Sequence, residues 1–305
     1  METLTQCKFC NATSSTKALW RVWEQHETIK LDGHNNYLTG YSWAALRTNF
    51  YVGRLSFDAG LSSNKVSDYI FVTHGHSDHT ASLYFHTLQE SHQIIYVPIE
   101  IEESIKTMLS ATFNVSNYDI PFDPNAVSYT VFGVRPGDVL EIKHNGIKHN
   151  VHVYDNCHTV PCRSYGVQEI KRTLKSEYKI YVEEHKHSSL GELRKAGIQL
   201  EEFVSIPRFV YVGDTNEDVF TMNPELFDYA DIIVECTFLE DEDIEQADKT
   251  RHCHWSRLKH IIISHPDNNF ILYHFSCRYT VQEIDSFFRV DGPNYFQNCH
   301  IWTNP

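Results

Sequence analysis

The sequence contains no long hydrophobic run. Within its 305 residues no stretch approaches the roughly 20 apolar positions that a membrane-spanning helix needs. The opening residues METLTQCKFCNATSS also lack the apolar run of a secretory signal. These absences predict a soluble intracellular protein without membrane contact, located in the cytoplasm or, as the alternative, in the nucleus.

Internal repeats, low-complexity tracts and Gly/Ser-rich linkers are absent as well. One continuous domain over residues 1–305 is therefore predicted, with residues 1–20 as a loose N-terminal extension. Eight cysteines are scattered along the chain without a secretory context, which favours free thiols over a disulfide framework. Cys7 and Cys10 form a C-x-x-C pair, but no second pair lies nearby to complete a zinc site.

Charge is unevenly distributed along the chain. The formal net charge of −14 argues against nucleic acid as a partner. Residues 141–195 nevertheless contain ten Lys or Arg and seven Asp or Glu, whereas residues 216–248 contain twelve acids and no Lys or Arg. Each stretch is most simply a solvated face.

Apolar runs rich in Val, Ile, Phe and Tyr predict β-strands, and amphipathic patterns between or after them predict helices. Strands with interspersed helices indicate an α/β fold whose sheets are covered by helices. Four predicted strands lead to a potential metal ligand: YIFVTH to His74, NVHVYDNCH to His158, RFVYVGD to Asp214 and NFILYH to His274. Side chains at such strand ends can converge on one edge of a sheet.

Residues 74–79, HGHSDH, concentrate metal-binding side chains in one segment. Their spacing does not suit one face of a helix, whereas a loop can direct the first two histidines to one metal and the next pair to a second. Imidazole and carboxylate are ligands that Zn²⁺ takes at about 2.0–2.2 Å. Chance would give this pattern about once in 10⁵ starting positions. A metal site is therefore predicted rather than a surface histidine cluster.

The H-x-H-x-D-H segment after an apolar strand resembles the signature of the metallo-β-lactamase fold. Five later blocks resemble those of RNase Z, the tRNA 3′-processing endoribonuclease, in its short, plant-like form. They are, in the family's order, CHTVPCRSYGV, VYVGDT, IIVECTF, HCHWSRL and YHFSCRY. The first segment is specific only to the superfamily, whereas G-D-T, E-x-T-F and H-F-S-x-R-Y together are specific to the RNase Z branch.

This resemblance implies a four-layer αβ/βα sandwich that binds two Zn²⁺ per chain, with Mn²⁺ or Fe as alternatives. The implied ligands are His74, His76 and His158 for one ion, Asp78, His79 and His274 for the other, and Asp214 as the bridge. Two divalent ions about 3.5–4 Å apart can activate water and stabilise both oxygens of an in-line phosphoryl displacement. The implied reaction is hydrolysis of a phosphodiester at the 3′ end of precursor tRNA.

Proton transfer adds further roles. Asp78 would accept the proton of the attacking water as well as bind metal, and a histidine would protonate the leaving ribose oxygen. In the family that histidine lies 22 residues before the last metal ligand, which from His274 selects His252. Because HCH departs from the family's H-S-T, His254 stays the alternative. Glu235, in the E-x-T-F block, would orient the histidine.

Substrate contacts are expected from two groups of residues. Near the site, Arg278 would either bind phosphate or tie down its loop through an ion pair, and Ser276 and Thr215 would either donate to phosphate oxygens or cap turns. In the basic stretch, the candidates for RNA contact are Arg163, Lys171, Arg172 and Lys175. A Gly/Pro-rich arm like the one that clamps tRNA in the family is not recognisable.

Two other functions compete with this interpretation. One is a hydrolase of the same fold with a small substrate, such as a β-lactam, a thioester or a cyclic nucleotide. The other is a non-catalytic zinc- or RNA-binding protein, which would be expected to have lost ligands, although all seven are present. The resemblance further implies a homodimer.

Overall fold

The structure, a computed structural model, describes residues 28–33, 36–89, 91–185 and 189–303. The expected N-terminal extension and the Cys7–Cys10 pair lie outside these residues. Within them, no helix is long and apolar enough to cross a bilayer. That the whole chain forms one domain stays a prediction.

Two seven-stranded β-sheets form the centre of the fold. The first contains β1 Ile29–Lys30, β2 Tyr37–Trp43, β3 Arg47–Val52, β4 Leu55–Phe57, β5 Tyr69–Phe71, β6 Gln93–Pro98 and β7 Tyr129–Val134. The second contains β8 Val139–His144, β9 Ile147–Asp155, β10 Arg163–Leu174, β11 Glu201–Tyr211, β12 Asp231–Glu235, β13 Asn269–Tyr273 and β14 Cys299–Ile301. In both sheets the strands lie side by side in sequence order.

The two sheets repeat one pattern of pairing. In each, the first three strand pairs along the chain are antiparallel and the last three are parallel. The halves of the chain thus share a topology although the sequence shows no repeat. Because parallel strands point the same way, their carboxyl ends meet at one edge of each sheet, where ligands commonly bind.

Helices cover the outer faces of both sheets. The described α-helices are α1 Ser77–Thr80, α2 Leu83–His86, α3 Glu102–Ser116, α4 Ser176–His185, α5 Ser189–Lys195, α6 Val219–Met222, α7 Ile244–Thr250, α8 Trp255–Ser264 and α9 Val281–Phe287. Short 3₁₀ turns occupy Ile99–Ile101, Pro224–Asp228 and Asp241–Asp243.

Within the part of the chain that the structure describes, three apolar cores define the layers. The middle core lies between the sheets and includes the fully buried Phe50, Tyr211 and Trp302. A second core packs Leu109 of α3 against the first sheet, and a third packs Leu258 of α8 against the second. Helix, sheet, sheet and helix therefore stack as the predicted four-layer α/β sandwich.

Strands β10 and β11 extend beyond the rest of the second sheet. Strand β9 pairs with β10 only as far as Glu169, and β12 pairs with β11 only from Phe209. Beyond these points β10 and β11 still pair with each other, and α4 and α5 lie between them in sequence. We call the described residues 170–185 and 189–208 the arm. It projects from the end of the sheet opposite to the carboxyl ends of β11, β12 and β13.

Candidate metal centre and active site

Strand ends carry the ligands that are furthest apart in sequence. His74 follows β5, Asp214 follows β11 and His274 follows β13 directly. All three side chains are at most 2% exposed, because the strands that lead to them are packed within the apolar cores of the fold. The expected convergence of strand ends therefore brings ligands from both halves of the chain together between the two sheets.

The HGHSDH segment is partly helical, not the loop that its spacing predicts. His76 is the residue before α1, and Asp78 and His79 lie in this one-turn helix. Adjacent helical residues point about 100° apart, so the turn can direct Asp78 and His79 to different sides of one metal. Gly60 packs against the turn, and a Cβ at Gly60 would lie 1.7 Å from the carbonyl oxygen of Asp78.

The side chains form two adjoining sets whose ligand atoms lie within 4.8 Å of one another. The first set is His74, His76, His158 and Asp214, and the second is Asp78, His79 and His274. Asp214 joins them, because its Oδ2 lies 3.7 Å from Nε2 of His74 and 3.5 Å from Nε2 of both His79 and His274. All seven predicted ligands are thus brought together.

The distances between ligand atoms within each set match those expected between ligands of one tetrahedral metal ion. Nε2 of His79 lies 3.4 Å from Nε2 of His274, and Nδ1 of His76 lies 3.4 Å from Nε2 of His158. Two ligands on a tetrahedral zinc are about 3.3–3.6 Å apart, given bonds of about 2.0–2.2 Å. Nε2 of His74 and Oδ1 of Asp214 are buried without a hydrogen-bond partner among the described residues. Such buried polar atoms are costly unless a ligand satisfies them, so the residues fit a divalent metal site.

In four of the five imidazoles, a polar partner at Nδ1 fixes the orientation of the ring. Nδ1 of His74 lies 2.9 Å from the hydroxyl of Thr73, and Nδ1 of His79 lies 2.8 Å from Asp58. The corresponding partners of His158 and His274 are the carbonyl of Arg251 at 3.2 Å and the hydroxyl of Thr237 at 3.1 Å. With Nδ1 engaged, each ring turns Nε2 toward the metal site, which is the usual arrangement of ligating histidines.

Asp58 is the residue that the sequence reasoning missed. It is fully buried and also accepts hydrogen bonds from Thr73 N–H at 2.8 Å and Tyr211 OH at 3.1 Å. The signal was available, because the strand run RLSFDAG leads to Asp58 just as other runs lead to ligands. Asp58 supports His79 from behind, in a position that no ligand spacing reveals.

Left-handed backbone conformations occur at four described residues of the site that have a Cβ. Ala45, Asp58, Arg251 and His274 have φ values of 62°, 60°, 54° and 64°. Each costs on the order of 1–2 kcal/mol relative to an ordinary conformation, and such strain concentrates at functional sites. At Ala45 the strained turn directs its N–H to Oδ2 of Asp78 at 2.9 Å.

Burial lowers the pKa of the imidazoles of His74, His76 and His158. For His74 the pKa falls well below its ordinary value, and the neighbouring His79 adds to the effect of burial. A neutral imidazole is the form that binds metal. These three rings are therefore uncharged near neutral pH, and each has a nitrogen lone pair available to bind metal.

The two carboxylates of the cluster are held ionised. Burial alone would raise the pKa of both, but the surrounding histidines, His274 foremost, lower that of Asp78 to about 2 and that of Asp214 well below its ordinary value. Burial would likewise lower the pKa of His79, yet Asp214 and Asp58 outweigh it and raise that pKa well above the ordinary value. The cluster thus attracts positive charge.

Glu235 and His252 form a close pair beside the metal ligands. Oε1 of the fully buried Glu235 accepts a hydrogen bond of 2.6 Å from Nδ1 of His252. Burial would lower the pKa of His252, but the Glu235 carboxylate raises it to about 9. His252 lines a cleft of about 430 Å³ together with Asp78, Asp214 and His274. The expected acid therefore faces the same cleft as Asp78, Asp214 and His274, and the Glu235 carboxylate lies buried behind it.

His254, the alternative acid, lies elsewhere. It is fully buried at the N-terminus of α8, where Nδ1 accepts the N–H of Ser256 at 3.1 Å. Its Nε2 donates to the carbonyl of Glu240 at 2.8 Å. Both ring nitrogens are used within the protein, so His254 acts as a helix cap in this structure.

The three substrate candidates near the site differ in their accessibility. Ser276 lines the cleft. Thr215 is fully buried, and its hydroxyl accepts from Cys157 N–H at 3.0 Å and contacts the carbonyl of Asn216 at 3.1 Å. Arg278 forms an ion pair with Asp243, so its guanidinium has the loop-fixing contact that was one of its two expected roles.

The four basic candidates do not lie together. Arg163 is only 3% exposed and forms ion pairs with Glu100 and Asp155, so its charge is neutralised within the protein. Lys171 and Arg172 are exposed on the arm, and Lys175 directly follows β10. Arg172 forms an ion pair with Glu201. Seven of the ten Lys and Arg residues of the basic stretch lie between positions 170 and 195, in the sequence that contains the arm.

Comparisons with known proteins bear on these motifs. No protein-family model matches the chain. The tRNase Z TRZ1 of Arabidopsis thaliana is 26% identical over 238 residues, which cover 76% of this chain and 81% of that relative. The crystal structure of the short form of human tRNase Z matches with a TM-score of 0.54 at 17% identity, over 87% of this chain and 95% of that chain.

The metallo-β-lactamase fold protein YhfI from Bacillus subtilis matches with a TM-score of 0.52 at 15% identity, over 82% of this chain and 90% of that one. The chain has the metallo-β-lactamase fold and is similar to tRNase Z. The resemblance expected from the six blocks is thereby confirmed, and the same relatives support the prediction of a metal-dependent hydrolase. A homodimer stays a prediction.

Proposed function

We propose that the chain is a zinc-dependent endoribonuclease that hydrolyses a phosphodiester at the 3′ end of precursor tRNA. The observation that carries the proposal is the His252–Glu235 pair beside seven metal-binding side chains, in a chain similar to tRNase Z. A hydrolase of thioesters, or of esters with stable leaving groups, has less need of a separate acid, whereas a ribose oxygen leaves as a costly alkoxide unless it is protonated.

Two metal ions would be bound by the two sets of side chains, with Asp214 shared between them. The donor set, five imidazoles and two carboxylates, favours Zn²⁺ over the harder Mg²⁺ or Mn²⁺. When bound, such a pair of ions activates water for attack and stabilises the charge that develops on the phosphate.

The chain's own residues move the protons. Asp78, which lines the cleft, accepts a proton from the attacking water. The phosphorus–O3′ bond breaks, and Nε2 of His252 gives its proton to the departing O3′. Nδ1 of His252 stays on Glu235 throughout, which keeps Nε2 directed toward the cleft. The products are a tRNA body with a 3′-hydroxyl and a trailer with a 5′-phosphate.

The arm supports a substrate of macromolecular size. Along β10, Lys171 lies eight residues from Arg163, at the cleft end, so the two are about 26 Å apart at 3.3 Å per residue. A β-lactam or a cyclic nucleotide cannot touch both regions, whereas an RNA helix can. We infer that Lys171, Arg172 and Lys175 contact the phosphate backbone of precursor tRNA.

The test is incubation of the zinc-loaded protein with 3′-extended tRNA, followed by mapping of both product ends. Cleavage near the acceptor stem with the end groups given above is the expected result. An Asp214→Ala variant prepared in parallel excludes contaminating nucleases, and a β-lactam assay addresses the small-substrate alternative. Turnover of the β-lactam with intact tRNA would reject the proposal.

A further inference from the structure

The hydroxyl of Thr237 touches both functional parts of the site. Its Oγ1 lies 2.6 Å from Oε2 of Glu235 and 3.1 Å from Nδ1 of His274. The other oxygen of Glu235, Oε1, accepts a hydrogen bond from Nδ1–H of His252. One side chain of small size therefore lies between a metal ligand and the pair that we assign to proton donation, and it is only 3% exposed.

Distances decide how this hydroxyl uses its single proton. The carbonyl of His274 lies 3.0 Å from Oγ1, farther than Glu235 at 2.6 Å, and a carboxylate is the stronger acceptor. Thr237 therefore donates to Glu235. The lone pairs of the hydroxyl oxygen can then accept a hydrogen bond from Nδ1–H of His274. A His274 ring protonated at Nδ1 has a free lone pair on Nε2, which is available to bind metal. Nδ1 of His252 is 3.4 Å from Oγ1 but only 2.6 Å from Glu235, so it donates to the carboxylate.

The same arrangement occurs in the first sheet. Nδ1–H of His74 points to the hydroxyl of Thr73, which donates to Oδ1 of Asp58 at 2.9 Å, and Oδ2 of Asp58 accepts Nδ1 of His79. There the chain of hydrogen bonds connects two metal ligands. In the second sheet the equivalent chain connects one ligand, His274, to His252.

We propose that Thr237 is a positioning residue that couples metal binding to the general acid through the hydrogen-bonded chain His274–Thr237–Glu235–His252. The hydroxyl fixes the ring of His274 for the metal and holds Glu235 in the orientation that directs His252 to the leaving oxygen. This inference rests on the proposed function for the role of His252. The part that concerns His274 rests on the metal ligands alone.

The test compares Thr237→Val, which keeps the shape and removes the hydroxyl, with Thr237→Ser, which keeps the hydroxyl. Thr87→Val is the matched control, because Thr87 is also buried and its hydroxyl donates to the carbonyl of Tyr84 at 2.7 Å. Zinc affinity is measured by chelator competition, and kcat is measured on 3′-extended tRNA and on a nitrophenyl phosphodiester. The downfield proton NMR resonance of His252 Nδ1–H is recorded for each zinc-loaded protein.

Thr237→Val should weaken zinc binding by about 10–100-fold, as the loss of a partner behind a ligand does. At saturating zinc it should still lower kcat on tRNA, by at least about tenfold, while sparing the nitrophenyl ester, whose leaving group needs no proton. It should also shift the His252 resonance. Thr237→Ser should restore all three properties to within about threefold of wild type, and Thr87→Val should change none of them.

Unchanged zinc affinity in Thr237→Val, or equal losses on both substrates at saturating zinc, would overturn the coupling. If Thr237→Val does not fold, a defect in Thr237→Ser as large as in Thr237→Ala would do the same. A wild type that does not cleave tRNA rejects the proposed function instead. In that case zinc affinity and the His252 resonance still decide whether Thr237 joins the two residues.

Discussion

Nδ1 of His252 lies 2.6 Å from Oε1 of Glu235, a carboxylate that is fully buried behind it. This contact leaves Nε2 of His252 as the free ring nitrogen in a residue that lines the cleft. Replacement by Ala should therefore remove a proton donor and leave the seven ligands intact. We expect His252→Ala to retain its metal and to lower kcat on precursor tRNA by about 10²–10⁴-fold.

A nitrophenyl phosphodiester should largely escape this loss. His254→Ala is the control, since His254 caps α8 with both ring nitrogens engaged. It should cost about 1 kcal/mol of stability without a preference between the substrates. Metal analysis and kinetics on both substrates decide the matter. Loss of metal from His252→Ala would make His252 a ligand, which its position near Asp214 and His274 also permits.

Asp214 should be essential to both metal positions. Its Oδ2 approaches candidate ligands of both sets, so Asp214→Ala removes a donor from each and also the buried negative charge that would offset two bound cations. We expect two metal ions per active wild-type chain and less than one in the variant, which should be inactive. Elemental analysis after dialysis measures this. One tightly bound ion in fully active wild type would contradict the shared-ligand arrangement.

The arm should contribute affinity for RNA but not chemistry. Replacing Lys171, Arg172 and Lys175 by Ala should raise KM for precursor tRNA and reduce the salt dependence by about 0.7–0.9 of slope per lost phosphate contact. Hydrolysis of the nitrophenyl ester should not change, because the arm projects away from the cleft. The slope is obtained by measuring KM for precursor tRNA at several salt concentrations and plotting its logarithm against the logarithm of the salt concentration.

Glu201→Gln offers a control of opposite sign on the same arm. Glu201 forms ion pairs with Arg172 and Arg194, which compete with phosphate for those guanidinium groups. Its removal should lower KM for tRNA and steepen the salt dependence. If neither variant moves KM or the slope, RNA is bound by another surface.

His144 should make stability depend on pH. Burial, with a smaller contribution from nearby His149, lowers the pKa of His144 from 6.5 to about 4. The unfolded chain thus takes up a proton near pH 6.5 that the folded chain accepts only near pH 4. The contribution of neutral His144 to the free energy of unfolding is fully present above the pKa that His144 has in the unfolded chain. It is lost as the pH falls toward the lower pKa of the folded chain.

His144→Gln keeps an acceptor for Asn145, which now contacts Nε2 of His144 at 3.0 Å, and removes the titration. Between pH 7.5 and 5.5 the wild type should lose about 1 kcal/mol more of unfolding free energy than the variant. Urea unfolding at the two pH values measures the difference. Parallel losses in both proteins would show that His144 does not titrate as proposed.

The sequence by itself determined the architecture and pointed to the candidate ligands. His74, Asp214 and His274 were recognisable because each follows an apolar run, and strand direction then dictates that such ends meet. The four-layer sandwich followed from motif blocks whose order was intact. Periodicity failed at Asp78 and His79, where a single turn of helix forms, because one turn is too short to leave a repeating apolar pattern.

Only the tertiary structure decided which polar residues support those ligands. Asp58 contacts His79 across 21 positions, and Arg163 contacts Glu100 across 63. Neither distance leaves a local pattern, so Arg163 resembled a surface cation although it is buried. His252 and His254 both flank Cys253. The spacing to His274 favoured His252, but only the structure shows that His252 lines the cleft whereas His254 caps a helix. Chemistry of this kind depends on burial and on partners far away in sequence, which packing alone assigns.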